Sequence, residues 1–388
     1  MYRVGQEEAD AVSRVILSKK YFRYEGRERS SLVDQLEAKF SKLFGVKHSI
    51  MLTSGTNALV CALAASGIGP GDEVIIPSFT FVATATAITQ VGAIPVIVNI
   101  DETLCLDTEE FESKITGKTK AVIPVHMDGL ACDMDKICEI AKKKNIVVIE
   151  DAAQAVGGSY KGHRLGTIGE MGCFSFNVDK IISCGEGGAF VTNNENKYKK
   201  AFSFHDAPCQ FGDTKKDMFS EEDLLVGHSM RFDNIKAAML DVQLDRLDKI
   251  LEDLRQRKSV MKKKIESAHR SVIGGNCEAG DCGTSVHIKL NDPLEMMSLV
   301  KNLLANNIIA MPVTGRPAHV CWQWMEQFNK ARFHHPEMNP FKSLDIEYKK
   351  TDFLKSVEIL SSTVKIFLDL EGSESEFEKK ADLLASLL

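Results

Sequence analysis

Through the first half of the chain, short apolar runs alternate with stretches whose apolar residues recur every three to four positions. Leu32, Val33, Leu36, Phe40 and Leu43 share one helical face, with Ser31 placed to cap its start and Gly45 to stop it. Strands are predicted at 49–52, 73–76, 94–98, 121–125 and 146–149. Helices are predicted at 56–65, 80–90 and 133–143 between them. Such alternation implies parallel strands joined by right-handed crossovers, hence an α/β sheet covered on both faces.

Two more strands are predicted at 172–176 and 189–192, followed by a long helix at 234–269 with Leu240, Leu244, Leu247 and Leu251 along one side. Beyond it the pattern changes, with strands at 285–290, 308–312 and 364–368 and helices at 293–305, 352–360 and 375–387. Residues 1–247 therefore read as a large α/β domain with a mostly parallel sheet, and 248–388 as a smaller α+β domain. The polar, acidic segment 204–225 is the predicted mobile loop.

Composition narrows the class without naming it. The chain has 388 residues, 44 % of them hydrophobic and 26 % charged, with a net charge of -6, ordinary for a globular protein. That charge gives no reason to expect nucleic acid or an anionic membrane as partner; Arg27, Arg29 and the run 262–264 are the strongest basic candidates, and solvated faces account for them. No run reaches the roughly 18 apolar residues of a membrane helix. The N-terminus lacks the apolar core of a signal peptide, so the ten cysteines read as reduced thiols in the cytoplasm. Neither Cys132 with Cys138 nor Cys277 with Cys282 has a zinc-site spacing, and no metal is expected.

One lysine stands out chemically. Lys180 ends the run Phe174-Ser175-Phe176-Asn177-Val178-Asp179-Lys180, ahead of Gly185-Glu186-Gly187-Gly188, and lies 29 residues (180 − 151) after Asp151. An isolated lysine at a strand end is more often a solvated one. Here aromatic and small apolar flanks favour a desolvated amine, nucleophilic near neutral pH and able to form a Schiff base. Asp151 follows Ile146-Val147-Val148-Ile149 and Glu150, at the carboxyl edge where open α/β sheets bind ligands. It could balance the pyridinium nitrogen of pyridoxal phosphate, or equally cap a helix starting at Ala152. Glu150 is its rival but would face the other side of the sheet.

Ser54-Gly55-Thr56 opens a helix whose free amides and dipole suit a phosphate, although the same residues make an ordinary cap. Ser175 could add a hydroxyl, and Phe81 could stack on a planar ring or be core. The glycines of 67–71 lack a dinucleotide fingerprint, 185–188 lacks the lysine and hydroxyl of a P-loop, and no G-x-S-x-G elbow occurs.

These segments, in order, closely resemble the DegT/StrS (DegT/DnrJ-like) sugar aminotransferases, fold type I pyridoxal phosphate enzymes. The resemblance runs over nearly the whole chain. It rests on Phe44-Gly45-Val46-Lys47-His48, Ser54-Gly55-Thr56-Asn57-Ala58-Leu59, Gly69-Pro70-Gly71-Asp72-Glu73-Val74-Ile75, Pro77-Ser78-Phe79-Thr80-Phe81 and Val125-His126-Met127-Asp128-Gly129. It continues through Glu150-Asp151-Ala152-Ala153-Gln154-Ala155, the 174–180 block, Gly185-Glu186-Gly187-Gly188, and Ala237-Ala238 with Gln243-Leu244. It implies that Lys180 is the Schiff-base lysine and the acid/base of the proton shift. It further implies that Asp151 pairs with the pyridine nitrogen, that Gln154 contacts the ring hydroxyl, and that Gly55, Thr56 and Ser175 hold the phosphate while Phe81 stacks on the ring. It also implies a homodimer whose partner chain completes each site.

Two departures accompany it. Ser229, in Gly227-His228-Ser229-Met230-Arg231, stands where the family has an asparagine reaching a neighbouring phosphate, and Leu240 replaces a usual glycine. Residues 21–24 and the tail from His319 through Trp322 and Asn339-Pro340-Phe341 to Leu368 look most like a subgroup that includes an aminotransferase for an oxidised eight-carbon ulosonic acid (8-amino-3,8-dideoxy-manno-octulosonate). The expected reaction moves an amino group from glutamate or glutamine to a keto or aldehyde sugar, nucleotide sugar or sugar acid, for lipopolysaccharide, other cell-surface polysaccharide or natural-product synthesis. A dehydratase relative or a non-catalytic one is the alternative; the dehydratases carry histidine in place of the lysine. Arg316, Arg23 and Arg231 are candidates for a substrate carboxylate, because guanidinium forks match carboxylates.

Overall fold

A computed structural model of the chain describes residues 4–24, 31–206, 219–330, 333–341 and 347–388. Arg27, Arg29 and positions 207–218 of the expected mobile segment lie outside them. The strands are β1 (His48–Leu52), β2 (Glu73–Pro77), β3 (Ile94–Val98), β4 (Thr119–Val122), β5 (Val147–Asp151), a short hairpin β6 (Ser159–Tyr160) and β7 (His163–Arg164), β8 (Met171–Ser175), β9 (Gly188–Thr192), β10 (Ser285–Lys289), β11 (Ala310–Pro312) and β12 (Thr363–Phe367). The helices are α1 (Gln6–Ser18), α2 (Leu32–Phe44), α3 (Gly55–Ala65), α4 (Ala83–Gln90), α5 (Thr108–Ser113), α6 (Met134–Lys144), α7 (Glu195–His205), α8 (Asn234–Ser267), α9 (Pro293–Ala305), α10 (Cys321–Lys330), α11 (Leu354–Ser361) and α12 (Glu374–Leu387). Among the described residues, no helix is long and apolar enough to cross a membrane.

Seven strands form the large sheet in the order β1-β9-β8-β5-β4-β2-β3. Only β9 runs against its neighbours, pairing antiparallel with both β1 and β8; the other pairs are parallel. The middle strands are buried on both faces, as their near-continuous β-branched and apolar sequence requires. A second, antiparallel sheet has the order β10-β12-β11. The helix α8 runs unbroken from Asn234 to Ser267, so position 247/248 falls inside one helix.

Local chemistry explains most element ends. At α2 the Ser31 hydroxyl accepts from Asp34 N at 3.1 Å, and Gly45 takes φ +70° just past the last turn, the left-handed stop that glycine adopts without steric cost. Val33, Leu36 and Phe40 are fully buried on its inner face, each contributing about 1.5–3 kcal/mol relative to exposure.

Several elements depart from expectation, three of them for reasons the structure shows. The helix expected from residue 80 starts at Ala83, because Thr80 N and Val82 N donate to the carbonyls of His319 (3.0 Å) and Ala318 (2.7 Å). The strand expected at 121–125 is shifted to 119–122; Pro124 has no N–H to continue the ladder. Helix α1 escaped the pattern because its buried face is Glu8, Ala11 and Val15, with Glu8 neutralised by Arg246 of α8.

Candidate active site

A cleft of about 700 Å³ opens at the carboxyl edge of the large sheet, where Ser54, Gly55, Thr56, Phe81, Asp151, Gln154, Ser175, Lys180 and Arg316 line a common space. Eight of these carry roles foreseen from the sequence, and Ser54 belongs to the same motif. The cleft's far wall comes from the small sheet and its loops, through Met311, His319, Lys365 and Phe367.

Asp151 is the last residue of β5 and is buried, 5 % exposed. Its Oδ2 accepts from the Thr84 hydroxyl at 2.8 Å and its Oδ1 from Ala153 N at 3.1 Å. No helix follows it, so the capping reading gives way to a local turn. Burial pushes its carboxyl above the usual range, opposed by those two hydrogen bonds and by Lys180. Glu150 faces the opposite side, as strand alternation demands. There its oxygens accept from the amides of Gly166 (2.7 Å), Ile168 (2.6 Å) and Gly169 (2.6 Å) and from His126 Nε2 at 3.0 Å. His126 Nδ1 accepts from Cys132 N at 3.2 Å, so the ring's single proton is on Nε2.

Lys180 rides the loop between β8 and β9. Phe176 N donates to Gly187 O (2.8 Å) and Cys184 N to Phe176 O (3.1 Å), closing its base. Gln243, fully buried on α8, clamps it from outside: Ser183 N donates to its Oε1 at 2.8 Å, and its amide nitrogen donates to Ser183 O. Burial lowers the affinity of the Lys180 amine for its proton. Asp151 works against this and Arg316 with it. The result is an amine more readily uncharged, hence more nucleophilic, than a solvated lysine.

The anion-binding end is built by close packing. The Ser54 hydroxyl caps α3 by accepting from Asn57 N at 3.1 Å, which leaves the amides of Gly55 and Thr56 at the helix start for a ligand. A Cβ on Gly55 would lie 2.9 Å from Ser175 Cβ, and one on Gly188 would lie 2.3 Å from the Ser54 carbonyl carbon. Any side chain at either place would fill or displace this cradle. Phe81 is 44 % exposed, unusually open for a phenylalanine, with its ring centroid 5.1 Å from that of His319. Gln154 Oε1 accepts from Asp128 N at 3.2 Å, turning its amide nitrogen free to donate.

Arg23 and Arg231 do not line the cleft. Arg23 is 1 % exposed and tied to Glu37 Oε2 at 2.7 Å, an internal ion pair that no substrate can reach. Arg231 pairs with Asp206 and lies over the Phe22 ring at 5.5 Å. Ser229 is exposed and lies outside its own chain's cleft, bridged to Asp206. Conversely, Thr84, Asp128, His319, Lys365 and Gln243 shape the site without having been assigned a part. Asp128 and Gln243 sat inside quoted motifs, His319 opened the quoted tail, and Thr84 follows Thr80 at helical spacing; for Lys365 the signal is tertiary.

Residues 3–343 match the DegT/DnrJ/EryC1/StrS aminotransferase family. The chain belongs to that family. It is 34 % identical over 305 residues to the GDP-perosamine synthase of Escherichia coli O157:H7, covering 78 % of this chain and 81 % of that one. It is 44 % identical over 218 residues to the GDP-perosamine synthase of Caulobacter vibrioides, covering 56 % of this chain and 57 % of the relative's length. Among solved structures, the aminotransferase from Psychrobacter cryohalolentis superposes with a TM-score of 0.82 at 27 % identity, over 98 % of this chain and 96 % of that one. The family member described here has the fold type I architecture: a large mixed sheet clothed by helices, with a smaller α+β part after it.

Proposed function

We propose that this chain is a pyridoxal phosphate-dependent aminotransferase that moves an amino group from glutamate or glutamine to a carbonyl sugar. One observation carries the reading: the Lys180 amine and the Asp151 carboxylate face one cleft, whose other end is the N-terminus of α3. The residues suit that cofactor. A buried carboxylate whose proton affinity is raised by desolvation gains from a cationic ring nitrogen, and free amides beside Ser175 gain from a phosphate. Pyridoxal phosphate, when bound, supplies an aldehyde that reacts with primary amines and a ring that accepts electrons. Asp151 would hold the ring nitrogen, Gly55, Thr56 and Ser175 the phosphate, Gln154 the ring oxygen and Phe81 the ring face. Lys180 would carry protons at the reacting carbon, and Phe81 with His319 would screen that space from water.

The sugar acceptor rests on the named activities of the relatives; the tail resemblance extends it to sugar acids. The test supplies purified, cofactor-loaded protein with L-glutamate and a panel of nucleotide-linked keto sugars, free keto sugars and carbonyl sugar acids. The expected result is one 2-oxoglutarate formed per sugar aminated. Ammonia release without an aminated sugar would overturn it.

A homodimer is part of the same proposal. Ser229 sits on the surface away from its own cleft, and Ile16, Leu17, Phe22 and Val226 also expose apolar side chains that a partner chain could cover. Sedimentation should give twice the 42.9 kDa chain mass; a monomer with full activity would refute this part.

A further inference from the structure

Side chains from three separate stretches converge on Asp128, in the turn after β4. Its Oδ2 accepts from His287 Nε2 on β10 at 3.0 Å. Its Oδ1 accepts from Arg316 Nη1 at 3.2 Å and from Lys365 Nζ on β12. Its carbonyl accepts from the Thr284 hydroxyl at 2.9 Å, and its N–H fixes Gln154. The residue takes φ +52°, a left-handed conformation that costs most side chains about 1–2 kcal/mol and aspartate less. A strained, buried acid with this many partners points to function.

The charges around it do not cancel. Burial alone would raise the Asp128 carboxyl, but Lys365, His287 and Arg316 hold it well below the usual range, so it is an anion. His319, pushed down to about 3 by burial and by Arg316, is neutral, and its Nε2 accepts from Arg316 Nη2 at 2.8 Å. Burial lowers His287 as well, in spite of Asp128. Arg316, whose guanidinium keeps its proton, and Lys365, whose amine burial pulls down in spite of Asp128, thus face a single carboxylate. Surplus buried charge is costly unless something answers it. Lys365 and Asp128 are closed off, with side chains 6 % and 2 % exposed, whereas Arg316 is 25 % exposed in the cleft. Two of its five N–H groups are used among the described residues, so three remain for a ligand.

We propose that Arg316 receives a carboxylate of the substrate, and that Asp128 is the positioning residue that fixes its guanidinium from behind while His319 fixes the other edge. The identity of the carboxylate's owner rests on the aminotransferase reading; the anion site itself does not. Glutarate, with two carboxylates but neither amine nor carbonyl, probes the site without reaction. Calorimetric titration of the cofactor-loaded protein should show binding that Arg316→Gln weakens by at least about 10-fold. Arg316→Lys should restore it only partly, because the fork is lost. Lys249→Gln, which removes an exposed cation on α8, should leave it unchanged. Asp128→Asn should weaken binding at least about 5-fold in the natural chain and less than about 2-fold in the Arg316→Gln background.

Steady-state kinetics then tell the two sources apart. A raised KM for L-glutamate with kcat unchanged assigns the carboxylate to the donor, and a raised KM for a carbonyl sugar acid assigns it to the acceptor. Glutarate binding that Arg316→Gln leaves intact overturns the site, even if the protein aminates sugars. Additive effects of the two substitutions overturn the positioning role of Asp128. A protein that binds glutarate through Arg316 yet aminates nothing refutes the aminotransferase reading and leaves the site standing.

Discussion

Lys180→Ala is expected to lower amine transfer by at least about 10³-fold, near 4 kcal/mol of barrier, with little change in stability. The side chain projects into the cleft and is only partly covered, and the loop is held by backbone bonds from Phe176 and Cys184 and by Gln243, not by the amine. Loss of activity with an unchanged melting curve is therefore the signature. A variant that keeps more than about a tenth of the rate would remove Lys180 from the chemistry. The amine's protonation offers a second measure. Reductive trapping of an aldehyde at Lys180 should rise with pH through a midpoint below the 10.5 of a free lysine. Asp151 favours the charged amine and Arg316 opposes it. Asp151→Asn should therefore move the midpoint further down, and Arg316→Gln should move it up.

The largest stability effect is expected one residue before Asp151. Glu150→Ala should cost about 3–5 kcal/mol, read from the urea midpoint of the cofactor-free protein. Glu150 is fully buried and satisfies three amides and the His126 Nε2–H. Alanine would leave four donors facing a void, and each orphaned donor costs about 1–3 kcal/mol before relaxation. A loss below about 1 kcal/mol would mean that water or a loop shift replaces the carboxylate. Adjacent acids thus divide their work: one holds a loop together, the other faces the cleft.

That division was legible in the sequence, because strand alternation needs only the order of residues. The same holds for the helix start at Ser54, which follows from a capping residue between an apolar strand and an apolar helix. The repeating strand–helix pattern foretold the large sheet, and strand 94–98 and helix 293–305 fall where expected. The pattern stopped at contacts made by residues far apart in the chain. Thr80 belongs to the helix by periodicity, yet its amide bonds to His319, 239 positions later (319 − 80). Arg23, Arg231 and Arg316 looked alike as candidates, since an arginine's neighbours in sequence do not reveal whether a glutamate waits inside. Lys365 alternates with Val364 and Ile366 like any exposed strand lysine; only the fold places Asp128 opposite it.

The reversed strand β9 has a consequence for electrostatics. A parallel continuation from β8 would lead into a crossover, which in this sheet type is usually a helix beginning at the carboxyl rim. Its positive end would repel an ammonium group placed there. Returning at once through β9 gives Lys180 a rim position in a loop without any helix. The rim therefore holds two electrical environments side by side. One, at α3, is made attractive to anions by a helix dipole; the other leaves an amine free to gain and lose its proton under the control of burial and of the charges around it, Asp151 and Arg316 first.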